Sequence, residues 1–282
     1  MQRNLMQKTF LLALCALLFS CASPLKGKSP YWYNGYVYGT QAYDFFAQGK
    51  LRNAIASYEK GLAEARRYDI PQQASQYQFN IGRCWFELDE FDSALARFST
   101  CNRDYLLLSD TLAACRSAGF AALCLCAEGN LDSAFVLYKQ GSSWSMEKND
   151  KALWLFIHGR LLWERDHGKE ALNYFEEAFS EYKKQKSYNS MALMCYYRAG
   201  IYYFFGDYQE AKNLIDQALA FSGKSRELSD RWGILCAASK IYSCLKDPTR
   251  GDWLYERAFN CAPQGIVMLA REKIMECGKS LF

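Results

Sequence analysis

The sequence predicts an all-α chain of about six stacked helical hairpins. Three observations predict it. A spaced set of small and large apolar residues recurs six times along the chain. Turn residues fall between the halves of each copy, in phase with that set. The composition is 50% apolar and 23% charged with only five prolines, which suits packed helices better than a sandwich of short strands.

Residues 1–20 stand outside the fold. Arg3 and Lys8 make a cationic start, and Phe10 to Phe19 is an unbroken apolar run. It is short for a bilayer span and has the length of a secretory signal core. The run ends at Leu18-Phe19-Ser20-Cys21, which resembles the bacterial lipobox. That resemblance implies cleavage after Ser20 and acylation of Cys21. Loss of Arg3 and Lys8 lowers the net charge of +4 by two. Membrane attachment then rests on acyl chains, at ~0.8 kcal/mol per buried methylene. Residues 21–34 read as a tether that includes Lys26, Lys28 and two prolines. Ala22 is not the aspartate that retains enterobacterial lipoproteins in the inner membrane, which favours the outer membrane.

Residues 35–263 carry the repeat. In each copy a small residue on a first helix is followed twelve positions later by a small residue on a second helix. A large apolar residue and another small residue follow. The second copy shows it as Gly82, Ala94, Phe98 and Cys101, and the fourth as Gly159, Ala171, Phe175 and Ala178. The second-helix marker falls at Ala54, Ala94, Ala134, Ala171, Ala211 and Gly251, in steps of 40, 40, 37, 40 and 40. Small residues let two helices approach where they cross, and the aromatic fills the space beside the crossing. Each hairpin leaves one apolar face bare and must stack on a neighbour.

The pattern resembles the tetratricopeptide repeat, best at Asn80-Ile81-Gly82-Arg83-Cys84-Trp85 with Ala94 and Phe98. The resemblance implies a right-handed superhelix whose first helices line the concave side. The leading Trp is missing, the sixth copy has Gly251 for Ala, and the usual repeat is ~34 residues. The spacing within each hairpin is fixed, so the extra length lies between hairpins. Segments such as 106–108 and 187–191 hold no Gly or Pro, which predicts longer helices rather than long loops. Residues 264–282 have helical apolar spacing and read as a C-terminal capping helix.

Chemistry-bearing constellations are sparse. The small net charge excludes a dedicated nucleic-acid binder. No glycine-rich phosphate loop, dinucleotide fingerprint or Ser/His/Asp arrangement is present, so no catalytic residue, metal or cofactor is expected beyond lipid on Cys21. The twelve cysteines include Cys15 and Cys21 of the leader. Most of the rest occupy packing positions as small apolar residues. An oxidising compartment permits disulfides, and Cys101–Cys115 is the pair to test. His158 stands where the repeat has Leu, and His167 lies in a turn.

The resemblance implies a partner groove on the first helices. Its positions lie three before, one after and four after each small residue, on one helical face. They are Phe79, Arg83 and Phe86 in the second copy, then Phe156, Arg160 and Trp163 in the fourth. The first copy offers Tyr43 and Phe46, and the fifth Tyr196 and Tyr203. Aromatic residues and Arg dominate protein interfaces. Equally, these rings could pack between neighbouring first helices under the Arg stems. The expected function is a lipid-anchored adaptor or scaffold for another protein or peptide segment in the bacterial cell envelope. A structural subunit of an envelope or secretion assembly is the alternative, with a carbohydrate-binding or enzyme-accessory role third.

Overall fold

A computed structural model describes residues 30–144, 151–225 and 231–261. The expected signal segment, Cys21 and the expected capping helix at 264–282 lie outside these residues. All described regular structure is helical. The six hairpins are α1 (Pro30–Ala47) with α2 (Leu51–Arg67), α3 (Pro71–Glu87) with α4 (Phe91–Leu107), α5 (Thr111–Ala127) with α6 (Leu131–Trp144), α7 (Lys151–Glu164) with α8 (Gly168–Lys184), α9 (Tyr188–Phe204) with α10 (Tyr208–Ser222), and α11 (Arg231–Cys244) with α12 (Pro248–Cys261). Helix α1 begins inside the stretch read as tether.

Nine links share one design. Each has three residues, and the middle one takes a left-handed conformation, as at Gly49 (φ 72°), Asp69 (φ 53°) and Ser109 (φ 59°). The amide of the third residue donates to a carbonyl five residues back, as in Ile70 N to Ala65 O at 2.8 Å and Asn130 N to Leu125 O at 2.8 Å. This Schellman closure satisfies helix-end carbonyls and turns the chain back sharply. It occurs within hairpins and between them alike. The extra repeat length is therefore in the helices, most of which run to 17 residues, as the missing Gly and Pro foretold.

The repeat markers hold their posts. Ala54, Ala94, Ala134, Ala171 and Ala211 are all fully buried at crossings. A Cβ on Gly82 would stand 2.9 Å from the Phe98 ring, and one on Gly159 2.6 Å from Phe175. In both hairpins the second-helix aromatic thus fills the space that a side chain on the first-helix glycine would need. Gly141 is required for a related reason, because Trp154 of the next hairpin covers it. The sixth copy departs from Ala at Gly251 with cause. A Cβ there would meet Ser243 Oγ at 2.6 Å and Ser239 O at 3.1 Å. Ser239 Oγ instead donates to Gly251 O at 2.8 Å.

Contacts run almost wholly between helices adjacent in sequence. In addition α5 touches α7, and α9 touches α11. First helices therefore converge on the inside of the bend. Two rims follow from the antiparallel zigzag. First helices start and second helices end on a junction rim. The turns inside hairpins form the opposite turn rim.

Candidate functional site

The inner face carries a cleft of about 330 Å³ lined from five first helices. Arg83 and Phe86 come from α3, Phe120 and Leu123 from α5, Phe156 and Arg160 from α7, Tyr196 and Tyr197 from α9, and Trp232 from α11. A second hollow of about 540 Å³ adjoins it between α3 and α5. Gln72, Gln76, Asn80 and Arg116 give that hollow a polar floor. Arg83 and Phe120 line both, so the two hollows lie side by side along the inner face.

The two aromatic–Arg–aromatic triplets behave alike at their first two positions. Phe79 packs on Phe98 of its own hairpin at 5.4 Å and on Phe120 of the next first helix at 5.3 Å. Phe156 does the same with Phe175 at 6.0 Å and Tyr197 at 5.3 Å. These rings wedge neighbouring hairpins together, and Phe156 is buried. The arginines bridge first helices over aromatic faces. Arg83 lies 4.7 Å from the Phe46 ring centroid, and Arg160 4.8 Å from that of Tyr197. Glu164 also holds Arg160 by an ion pair at 2.6 Å. Stacking orients both guanidinium planes, and Glu164 also pins that of Arg160, so less rotamer entropy remains to be lost on binding.

The third position splits the triplets. Phe86 faces the cleft, edge-on to Phe91 at 5.5 Å. Trp163 turns outward and stacks edge-on against Phe204 at 5.5 Å. Among the other expected groove residues, Phe46 is buried beneath Arg83, and Tyr43 is exposed but lines neither hollow. Tyr203 points to Cys244 Sγ at 3.5 Å and to the Tyr208 ring at 5.4 Å. Tyr196 alone of the fifth-copy pair reaches the cleft. The spacing rule missed Asn189, Leu193 and Trp232, which lie in the first two turns of α9 and α11. They join the site because the ribbon curls far enough to bring those starts over α3 and α5. Trp232 was the one legible signal, a large ring at the start of an otherwise plain first helix.

His158 sits between two hairpins, its Nδ1 3.2 Å from Tyr138 Oη and its ring 4.2 Å from Tyr174. Burial lowers its pKa, against an opposing pull from Glu170. No group of three potential metal ligands occurs among the described residues. Cys101 and Cys115 are not joined. Their thiols reach opposite ways, to Ser75 O and Gly141 O, each at 3.5 Å. Adjacent helices meet there, but their cysteines face different neighbours. No described helix is long and apolar enough to cross a membrane.

No family model matches the chain, and no curated protein matches it in sequence. Its fold is that of known tetratricopeptide-like helical-repeat proteins. It is similar to the Rap conjugation gene regulator of plasmid pLS20 in complex with the Phr* peptide, with TM-score 0.64 and 15% identity over 92% of this chain and 67% of that one. NprR in complex with its cognate peptide NprX gives 0.64 and 14% over 97% and 79%. The apo form of RapI gives 0.59 and 14% over 98% and 96%.

Proposed function

We propose that the chain is a lipid-anchored adaptor of the bacterial cell envelope, whose inner groove holds an extended segment of a partner protein. One observation carries the binding half of this reading. Five first helices converge on a single apolar-and-guanidinium groove, next to an amide-lined hollow that shares Arg83 and Phe120 with it. Rings supply apolar anchorage, Arg83 and Arg160 suit acidic side chains, and Gln72, Gln76 and Asn80 suit the partner's backbone amides. Two of the similar structures hold peptides, which supports a peptide-like occupant. The Leu18-to-Cys21 lipobox supports the anchor. The partner segment reaches the groove in the envelope, with the anchor in the outer membrane.

The test is capture from detergent-solubilised membranes, with the full chain as bait. Tyr196→Ala and Phe86→Ala should each reduce partner recovery per folded molecule strongly, and Phe86→Ala should also lower the melting temperature through its lost packing on Phe91 and Phe120. Unchanged recovery with both variants sinks the groove. The anchor is read separately by the mass of the Cys21 peptide. A Cys21→Ser chain that still enters the detergent phase at the mature size would defeat it.

A further inference from the structure

The two rims of the superhelix differ in charge and in apolar exposure. The turn rim is acidic through its middle hairpins, with Asp89, Glu90, Asp92, Glu128 and Asp207, and with Asp132 paired to Arg165 of the same rim at 3.1 Å. The junction rim is not. Lys183, Lys184 and Lys186 crowd its α8–α9 link, fully on the surface. Glu181 answers Lys184 at 2.9 Å and Lys151 at 3.5 Å, one carboxylate for two ammonium groups. Arg66 and Arg67 are exposed at the end of α2. Asp69, Asp104 and Asp110 lie on the same rim, at the α2–α3 and α4–α5 links rather than at the lysine-rich α8–α9 link, and Asp110 caps α5 through the Ala113 amide at 3.0 Å. Leu107 projects from the end of α4 with 80% of its surface exposed, beside Leu106.

Helix α1 also starts on the junction rim. Cys21 precedes it by nine positions, a reach of at most about 30 Å at ~3.3 Å per residue. The chain thus leaves the fold toward its anchor from the rim that carries Leu106, Leu107 and the lysines. We infer that this junction rim is laid against a bilayer with anionic headgroups, leaving the acidic turn rim outward. The inference rests on the lipid anchor at Cys21. Lysines near an anionic surface add attraction within a Debye length, and the leucines enter the headgroup boundary. The turn rim has rings of its own at Phe204 and Phe205, flanked by Asp207 and Glu210 as the leucines are by Asp104 and Asp110, but among the described residues no lysine cluster lies beside them and α1 does not start there.

The test uses the full lipidated chain, purified from membranes, in detergent and in phosphatidylcholine vesicles with phosphatidylglycerol as the minor lipid. Amide exchange is read by mass, with the acyl mass read in the same sample. Peptides covering 104–110 and 183–188 should exchange about fivefold more slowly in vesicles, the size of one lysine's attraction. Those covering 128–130 and 203–208 should not change. The triple variant Lys183→Glu, Lys184→Glu, Lys186→Glu should lose protection at 183–188 with its acyl mass intact. Protection at 203–208 instead, or at neither rim in an acylated chain, overturns the orientation and leaves the anchor standing. A chain without acyl mass defeats the anchor. Slow exchange at the junction rim in that same vesicle sample then still supports the rim, and its absence overturns it.

Discussion

Phe175 lies over Gly159 so closely that a methyl group on the glycine would stand 2.6 Å from the ring. The ring is fully buried and has nowhere to turn. Gly→Ala in a helix interior ordinarily gains up to ~1 kcal/mol of propensity. Overpacking a closed core costs ~1–3 kcal/mol, so the clash should win. Gly159→Ala should therefore lower the denaturation midpoint, by a net ~1 kcal/mol or more. Gly233→Ala, with open space around the new atom, should not. Equal chemical melts for the two variants would contradict the crossing geometry.

Trp163 and Tyr196 were both read as groove positions and now separate. Trp163 packs on Phe204 and covers Gly168, away from the cleft that Tyr196 lines. Trp163→Ala should cost ~2 kcal/mol of stability with partner capture retained per folded molecule. Tyr196→Ala should weaken capture by about 2 kcal/mol with a near-normal melt. A paired capture and calorimetry series checks both, and reversed behaviour would return Trp163 to the groove.

How much of this was legible follows from what each pattern depends on. The hairpin register depends on contacts twelve residues apart, so Ala94 and Ala171 announced their burial in sequence. The long helices were legible too, because residues 106–108 hold nothing that stops a helix. The groove depends on the angle between successive hairpins. That angle arises from packing such as Phe79 on Phe120, and no spacing within one copy encodes it. Hence Phe46 and Trp163 matched the groove positions yet line neither hollow, while Leu193 and Trp232 entered the cleft unannounced.

Burial sets the chemistry of the cysteines. It pushes the thiols of Cys84, Cys101 and Cys124 up to about 12, and those of Cys126 and Cys195 to about 11. The thiolate is the nucleophile, so these groups are inert near neutral pH. Native-state alkylation should mark Cys244 first and Cys261 next, the two accessible thiols among the described residues. The seven buried ones should react only in denaturant. A Cys101–Cys115 link in a non-reducing peptide map would contradict this.

His158 makes stability depend on acid. Its folded pKa lies below the ordinary value of about 6.5 because burial disfavours the cation, and only Glu170 pulls the other way. Below about pH 6.5 the unfolded chain takes up a proton that the folded chain resists. Stability present above that pH is lost as pH falls through the folded value. The neighbouring groups are the Tyr138 hydroxyl and the Tyr174 ring, neither a carboxylate that could rescue the cation. Melting temperature should fall between pH 7 and pH 5, and less so in His158→Gln. Parallel pH curves for the two proteins would exclude His158 as the source.

The near absence of contacts between distant helices among the described residues bears on how the chain is made. Each helix finds its main partner in the helix just before or just after it. Loop closure is therefore short at every step, and folding can propagate hairpin by hairpin. A chain emerging N-terminus first, from a ribosome or a translocation channel, need not wait for its C-terminus before ordering α1 to α4. Its apolar faces are covered in the order they appear, which shortens their exposure to aggregation during synthesis.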